Sequence, residues 1–86
     1  MVMNRYYIVK NYLDQYLKKL KIKTKRGEFI LDLVLRYYKD SEYYLDKDYD
    51  TALEAISYAS GLLDCAVITK DIEIPGHYFD NLDKKE

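Results

Sequence analysis

The chain is 86 residues long, 49% hydrophobic, 34% charged and 15% aromatic, with a formal net charge of −1, three glycines, one proline and one cysteine. That length supports one domain burying about 60–65% of the surface its unfolded chain exposes, which excludes a two-domain enzyme; the apolar content excludes disordered, collagen-like and low-complexity classes. The lone Cys65 excludes an intramolecular disulfide, and no apolar run exceeds four residues, against the ~18 of a membrane span, so a soluble cytoplasmic protein with no membrane contact is the expectation.

The first predicted element is a helix over residues 4–22. Tyr6, Val9, Leu13, Tyr16, Leu17 and Leu20 recur at intervals of three and four, which places them on one helical face, and strand-like alternation is not expected here. Thr24 and Gly27 then punctuate the chain before a second helix over 27–46, whose stripe is Ile30, Leu33, Val34, Tyr37, Ser41, Tyr44 and Leu45. Asp48 is a good N-cap for a third helix over 49–69: its carboxylate can accept from the amides of Asp50 or Thr51, and Asp50 suits the first turn. The inner stripe of that helix is Tyr49, Ala52, Leu53, Ile56, Ala59, Ser60, Leu63 and Val67. Pro75-Gly76 marks a turn, and residues 71–86 read as a short solvated tail.

Three helices of roughly 18–21 residues are about 27–32 Å long at ~1.5 Å per residue. Short connections make neighbours antiparallel, so the expected fold is all-α: an up-down-up three-helix bundle over residues 1–70, with Leu13, Leu33, Ile56 and Leu63 at its centre. Charge is uneven along the chain. Residues 1–27 carry eight cations and one carboxylate, residues 28–86 six cations and fourteen carboxylates.

Two stretches carry a family resemblance. Arg36-Tyr37-Tyr38-Lys39-Asp40-Ser41-Glu42-Tyr43-Tyr44-Leu45 is followed by Asp48-Tyr49-Asp50-Thr51-Ala52-Leu53-Glu54-Ala55-Ile56-Ser57-Tyr58-Ala59-Ser60-Gly61-Leu62-Leu63-Asp64-Cys65-Ala66. Together they resemble the archaeal domain-of-unknown-function family 357. The resemblance implies a small spectrin-repeat-like three-helix bundle of prokaryotic cytoplasmic origin, and no catalytic residue is carried over. Residues 54–66 are also similar to a helix of nucleotide-associated HEPN domains. The arginine and following histidine of the HEPN ribonucleases are absent: no arginine follows Arg36, and the only histidine, His77, lies beyond Pro75-Gly76.

Catalytic parts are missing. Glycines at 27, 61 and 76 cannot form a phosphate loop, and there is no His-Glu-x-x-His, cysteine pair or histidine beside a nucleophile. His77 and Asp80 stand at i, i+3 with Asp71 or Glu73 as a third metal ligand, but a mobile solvated tail is the preferred reading. We therefore assign no catalytic residue, metal or cofactor. Cys65 reads as a small packing residue. In each of Tyr6-Tyr7, Tyr37-Tyr38 and Tyr43-Tyr44 one ring is expected in the core and one at its wet boundary. Asp32, Arg36 and Asp40 read as an exposed ion ladder.

Two surfaces remain as binding candidates. Lys18, Lys19, Lys21, Lys23, Lys25 and Arg26 form a basic segment, read first as a solvated helix end complementing the helix dipole and alternatively as a phosphate-binding patch for nucleic acid or nucleotide. Opposite its core stripe, the third helix carries a second apolar stripe, Ala55, Tyr58, Leu62, Cys65 and Ala66, with Gly61 allowing close approach. A helix apolar on two faces is usually buried on two faces, so the cover is a second protomer, a partner protein or residues 72–79 folding back. The leading expectation is a non-enzymatic interaction module that forms a homodimer or docks a protein partner through the third helix.

Overall fold

The computed structural model describes residues 4–79. Three helices, α1 (Arg5–Leu17), α2 (Lys25–Tyr44) and α3 (Tyr49–Ile68), pack together with two short strands, β1 (Lys21–Ile22) and β2 (Ile72–Glu73). Each helix starts at a side-chain cap. Asn4 accepts from the Tyr6 N–H at 2.9 Å, Thr24 Oγ1 from the Gly27 N–H at 2.9 Å, and Asp48 Oδ1 from the Thr51 N–H at 3.3 Å. Each such cap satisfies an amide that has no partner within the helix.

The topology is the expected up-down-up bundle. Tyr6, near the start of α1, hydrogen-bonds through its amide to the Tyr49 hydroxyl and through its ring hydroxyl to Ser41, while Tyr16, near the end of α1, packs on His77 beyond α3. Helices α1 and α3 thus run the same way and α2 runs against both. Ala52, Ala55, Ala59 and Ala66 are all buried, and such small residues let α2 and α3 approach closely along their whole length. The core is completed by Tyr6, Leu13, Tyr16, Val34, Ile56, Leu63, Val67, Ile72 and Ile74. Helix α3 is long and apolar enough to cross a membrane, a property that a core helix also has.

Four expectations need correction. Helix α1 ends at Leu17, not at residue 22, because Leu20-Lys21-Ile22-Lys23 does alternate; it leaves the helix and pairs as β1 with β2, Lys21 opposite Glu73 and Ile22 opposite Ile72. Residues 71–79 are not a solvated tail: Asp71, Ile72, Ile74 and His77 are buried. Leu33 is only half-buried, and the adjacent Val34 takes the core position, sharing α2's inner face with Ser41 seven residues on. Finally, Tyr43 and Tyr44 are both exposed, and Tyr37 and Tyr38 both lie at the boundary, so only Tyr6-Tyr7 divides between core and surface.

The strap from 69 to 79 is held at two points. At the first, Lys70 adopts a left-handed φ of 64°, the Asp71 N–H reaches back to the Ala66 carbonyl at 2.9 Å and the Lys70 N–H to Val67 at 3.2 Å, a Schellman closure of α3. This turn drives Asp71 onto the start of α2. Gly27 makes room there: a Cβ at that position would lie 2.2 Å from the Asp71 carbonyl oxygen.

Candidate functional site

Among the suspected metal ligands, the described side chains of His77, Asp71 and Glu73 each have a structural partner. The second fastening point of the strap is Asp64 on α3, whose carboxylate meets His77 Nε2 at 2.8 Å and accepts from the Tyr78 hydroxyl. His77 Nδ1 accepts from the Phe79 N–H at 3.0 Å, so the neutral imidazole with its proton on Nε2 satisfies both contacts. Both ring nitrogens are engaged and the ring is fully buried, which leaves no lone pair for a metal. Asp80, the suggested second ligand, lies outside the described residues. Among the described residues no group of three His, Cys, Asp or Glu side chains could hold a metal, and no buried polar side-chain atom lacks a partner. Burial, followed by the nearby Asp64 charge, raises the Tyr16 and Tyr78 hydroxyl pKa values above their ordinary range.

Asp71, the other suspected ligand, accepts from Thr69 Oγ1 at 2.5 Å, Thr24 Oγ1 at 2.7 Å and Arg26 Nε at 2.8 Å. These donors, Thr69 first, hold its carboxyl down at about 2. The arrangement explains how α2 tolerates Lys25 and Arg26 in its first turn, where cations oppose the helix dipole: Asp71 and Glu28 supply the negative charge there.

The basic segment is therefore partly neutralised. Lys18 and Lys19 occupy the turn after α1, Lys21 and Lys23 the strand β1 and its exit, and Lys25 and Arg26 the start of α2, all exposed at one end of the bundle. Arg26 pairs with Asp71, and Lys23 Nζ with Glu73 at 3.6 Å. Only Lys18 and Lys19 stand near the end of α1, so the expected complement to that helix dipole is confined to them. The strap adds a feature not foreseen: Lys19 Nζ reaches the Gly76 turn, two residues before Tyr78, whose exposed ring lies 6.3 Å from Tyr16, itself 6.3 Å from the exposed ring of Tyr12.

The third helix divides its second stripe. Ala55 and Ala66 are buried inside the bundle, and Leu62 is partly buried against it. Tyr58, Gly61 and Cys65 remain exposed, joined by Ile68, which is 50% exposed. Between Ser57 and Ile68 the one charged side chain is Asp64, at the edge of this outer strip and engaged by His77. Tyr58, 60% exposed, touches Tyr37 of α2 with ring centroids 5.6 Å apart. That contact identifies the flank of α2 beside the strip, and one and two turns before Tyr37 the same flank carries Leu33 and Phe29, the latter 64% exposed. Toward the start of α3 a shallow groove lined by Asp50, Leu53, Glu54, Ser57 and Tyr58 continues the strip.

The result is a two-helix apolar face made of Phe29, Leu33 and Tyr37 with Tyr58, Leu62, Cys65 and Ile68. It is bordered on α2 by the ion pair of Arg36 with Asp32, at 3.1 Å. Its α2 half escaped the sequence reasoning, since three of its members stand in or beside the stripe read as core; the available signal was that α2 has more apolar positions than one inner face needs. In chemical terms the face offers aromatic rings, aliphatic carbon, one thiol and a glycine, which suit contact with another apolar surface and not proton or group transfer.

A family model described as "Protein of unknown function (DUF357)" matches residues 8–70. No curated protein and no solved structure matches.

Proposed function

The chain belongs to the family DUF357, and from its surfaces we propose that it is a non-enzymatic helical interaction module whose α2/α3 face docks a protein surface. The observation that supports this most is the apolar outer strip of α3, with the engaged Asp64 at its edge, beside the apolar flank of α2. Contiguous apolar patches of this kind are uncommon on surfaces that stay in water, because each buried square ångström of apolar area is worth about 25 cal/mol. The engaged Asp64, Asp71 and His77 side chains agree with a module that does no chemistry.

The test uses exposed positions. Leu62 packs partly against the core, so Tyr58→Lys and Ile68→Lys are the better probes. Both variants should keep helix content and thermal midpoint while losing association with the docked protein. Association that survives both substitutions would refute the reading.

A second reading is supported by Lys19 at the Gly76 turn, two residues from the exposed Tyr78, in a ring cluster that Tyr16 extends to Tyr12: cations and exposed rings together suit a single-stranded nucleic acid. The ion pairs of Lys23 and Arg26 weigh against it, leaving fewer cations for phosphates. Binding of a labelled oligouridine that weakens steeply from low to moderate salt and is lost in Lys18→Gln/Lys19→Gln would favour this reading over protein docking.

A further inference from the structure

We propose that the occupant of the α2/α3 face is a second copy of this chain, docked antiparallel about a two-fold axis passing between Leu33 and Gly61. The inference rests on the docking reading and adds the identity and orientation of the partner.

The register of the face is the first argument. In a two-fold contact, a residue a given distance before the axis meets one the same distance after it on the other copy. On α2, Phe29 stands four residues before Leu33 and Tyr37 four after, so each copy's Phe29 would meet the other's Tyr37. On α3, Tyr58 and Cys65 stand three and a half residues either side of the midpoint between Gly61 and Leu62, so with the axis crossing α3 there ring meets thiol. Gly61 then falls where the two α3 helices come nearest, and a Cβ there would find nothing within 4 Å in the single chain. An open glycine in the middle of a long helix costs helix stability, which close approach of a second helix would offset.

Charge supplies the orientation. Among the described residues, the end holding β1, β2, the start of α2 and the end of α3 carries seven cations (Lys18, Lys19, Lys21, Lys23, Lys25, Arg26 and Lys70) and four carboxylates. The opposite end carries six carboxylates (Asp40, Glu42, Asp46, Asp48, Asp50 and Glu54) and three cations. Antiparallel docking lays the basic end of each copy along the acidic end of the other; parallel docking would set like against like. On the face itself Arg26 lies seven residues before Leu33 and Asp40 seven after, on the flank shared with Tyr37. Arg26 holds Asp71 through Nε, which leaves its terminal N–H donors for Asp40 of the second copy.

Cross-linking tests the register. The chain with Tyr58→Cys, exposed to a mild oxidant, should form a disulfide-linked dimer through Cys65 of the other copy. The unmodified chain should not, since two Cys65 residues three and a half positions either side of the axis lie about 10 Å apart. Positions 58 and 65 within one helix, roughly 10 Å apart, cannot close on themselves. Gly61→Leu should keep or raise the thermal midpoint of the single chain and lose the dimer in sedimentation. A disulfide-linked dimer from the unmodified chain with none gained by Tyr58→Cys would overturn the antiparallel register. A chain that sediments as a monomer at high micromolar concentration would overturn the second-copy inference and leave docking of another protein standing. A dimer that persists in both Gly61→Leu and Tyr58→Lys would overturn both, because association would then use another face.

Discussion

Gly27→Ala and Gly61→Ala are the same substitution inside helices, and the structure predicts opposite outcomes. At Gly27 the new Cβ would lie 2.2 Å from the Asp71 carbonyl oxygen, 2.9 Å from its carbonyl carbon and 3.2 Å from Ile72 Cγ1. Two of those atoms are backbone, and they belong to a strap fixed by β1–β2 pairing and by the Lys23 N–H, which donates to the same Asp71 oxygen at 2.9 Å. Relief needs a shift of about 1 Å to reach ordinary contact distance, which would stretch that bond and disturb the pairing. Overpacking costs about 1–3 kcal/mol and the lost hydrogen bond about 1 more, against a gain near 0.5–1 from replacing a helical glycine. The net loss is about 1–3.5 kcal/mol, a large part of the roughly 5–10 expected for a domain of this size. Gly61→Ala, with nothing within 4 Å, should instead gain about 0.5–1 kcal/mol in the single chain. Urea unfolding followed by circular dichroism, at a concentration low enough to keep the chain monomeric, measures both. Equal stabilisation by the two substitutions would refute the close approach of the strap to α2.

Three further expectations concern the core and the strap. Leu13→Ala and Leu63→Ala, at fully buried sites, should each cost about 2–5 kcal/mol in urea unfolding, whereas Leu33→Ala should cost less than about 1.5 because that side chain is half-exposed. Tyr6→Phe removes the hydroxyl that meets Ser41 Oγ at 3.0 Å in the core and should cost about 1–2 kcal/mol by the same measurement; an unchanged midpoint would show that the pair is not buried. The depressed Asp71 carboxyl, at about 2, contributes stability that is present above its unfolded value near 4 and disappears as the pH falls through about 2. Asp71→Asn should therefore lower the thermal midpoint at pH 7, and its gap from the unsubstituted chain should close between about pH 4 and 2; a gap independent of pH would contradict the ionised role.

How much of this was legible beforehand depended on the range of the interactions. The three stripes and the Asp48 cap are local patterns, and Asp48 does accept from Thr51 as its position suggests. The shift from Leu33 to Val34 was less accessible, because α2's rotation is set by contacts with other helices: Ser41 faces Tyr6, and the Tyr38 hydroxyl donates to Asp14 of α1. The alternation in Leu20-Lys21-Ile22-Lys23 was present, but a four-residue signal next to a strong helical one is easily absorbed into the helix, and its partner Ile72-Glu73 lies far along the chain. Folding back of residues 72–79 was one of the covers open to the sequence, but the same distance concealed where the strap is fastened. Asp71 is fastened by Thr24 and Arg26, 47 and 45 residues away, and His77 by Asp64 across a turn. On the candidate face, the α3 half could be read as a second stripe, while Phe29, Leu33 and Tyr37 joined it only once the contact between Tyr37 and Tyr58 identified the adjoining flank.

If copies of this chain meet through the α2/α3 face, sedimentation of the unsubstituted chain beside Tyr58→Lys over a matched concentration series will separate the two proteins. The unsubstituted chain should move from 10.3 kDa toward twice that mass as concentration rises, while the variant stays at one chain mass with the same thermal midpoint. Equal masses for the two proteins at every concentration would contradict it.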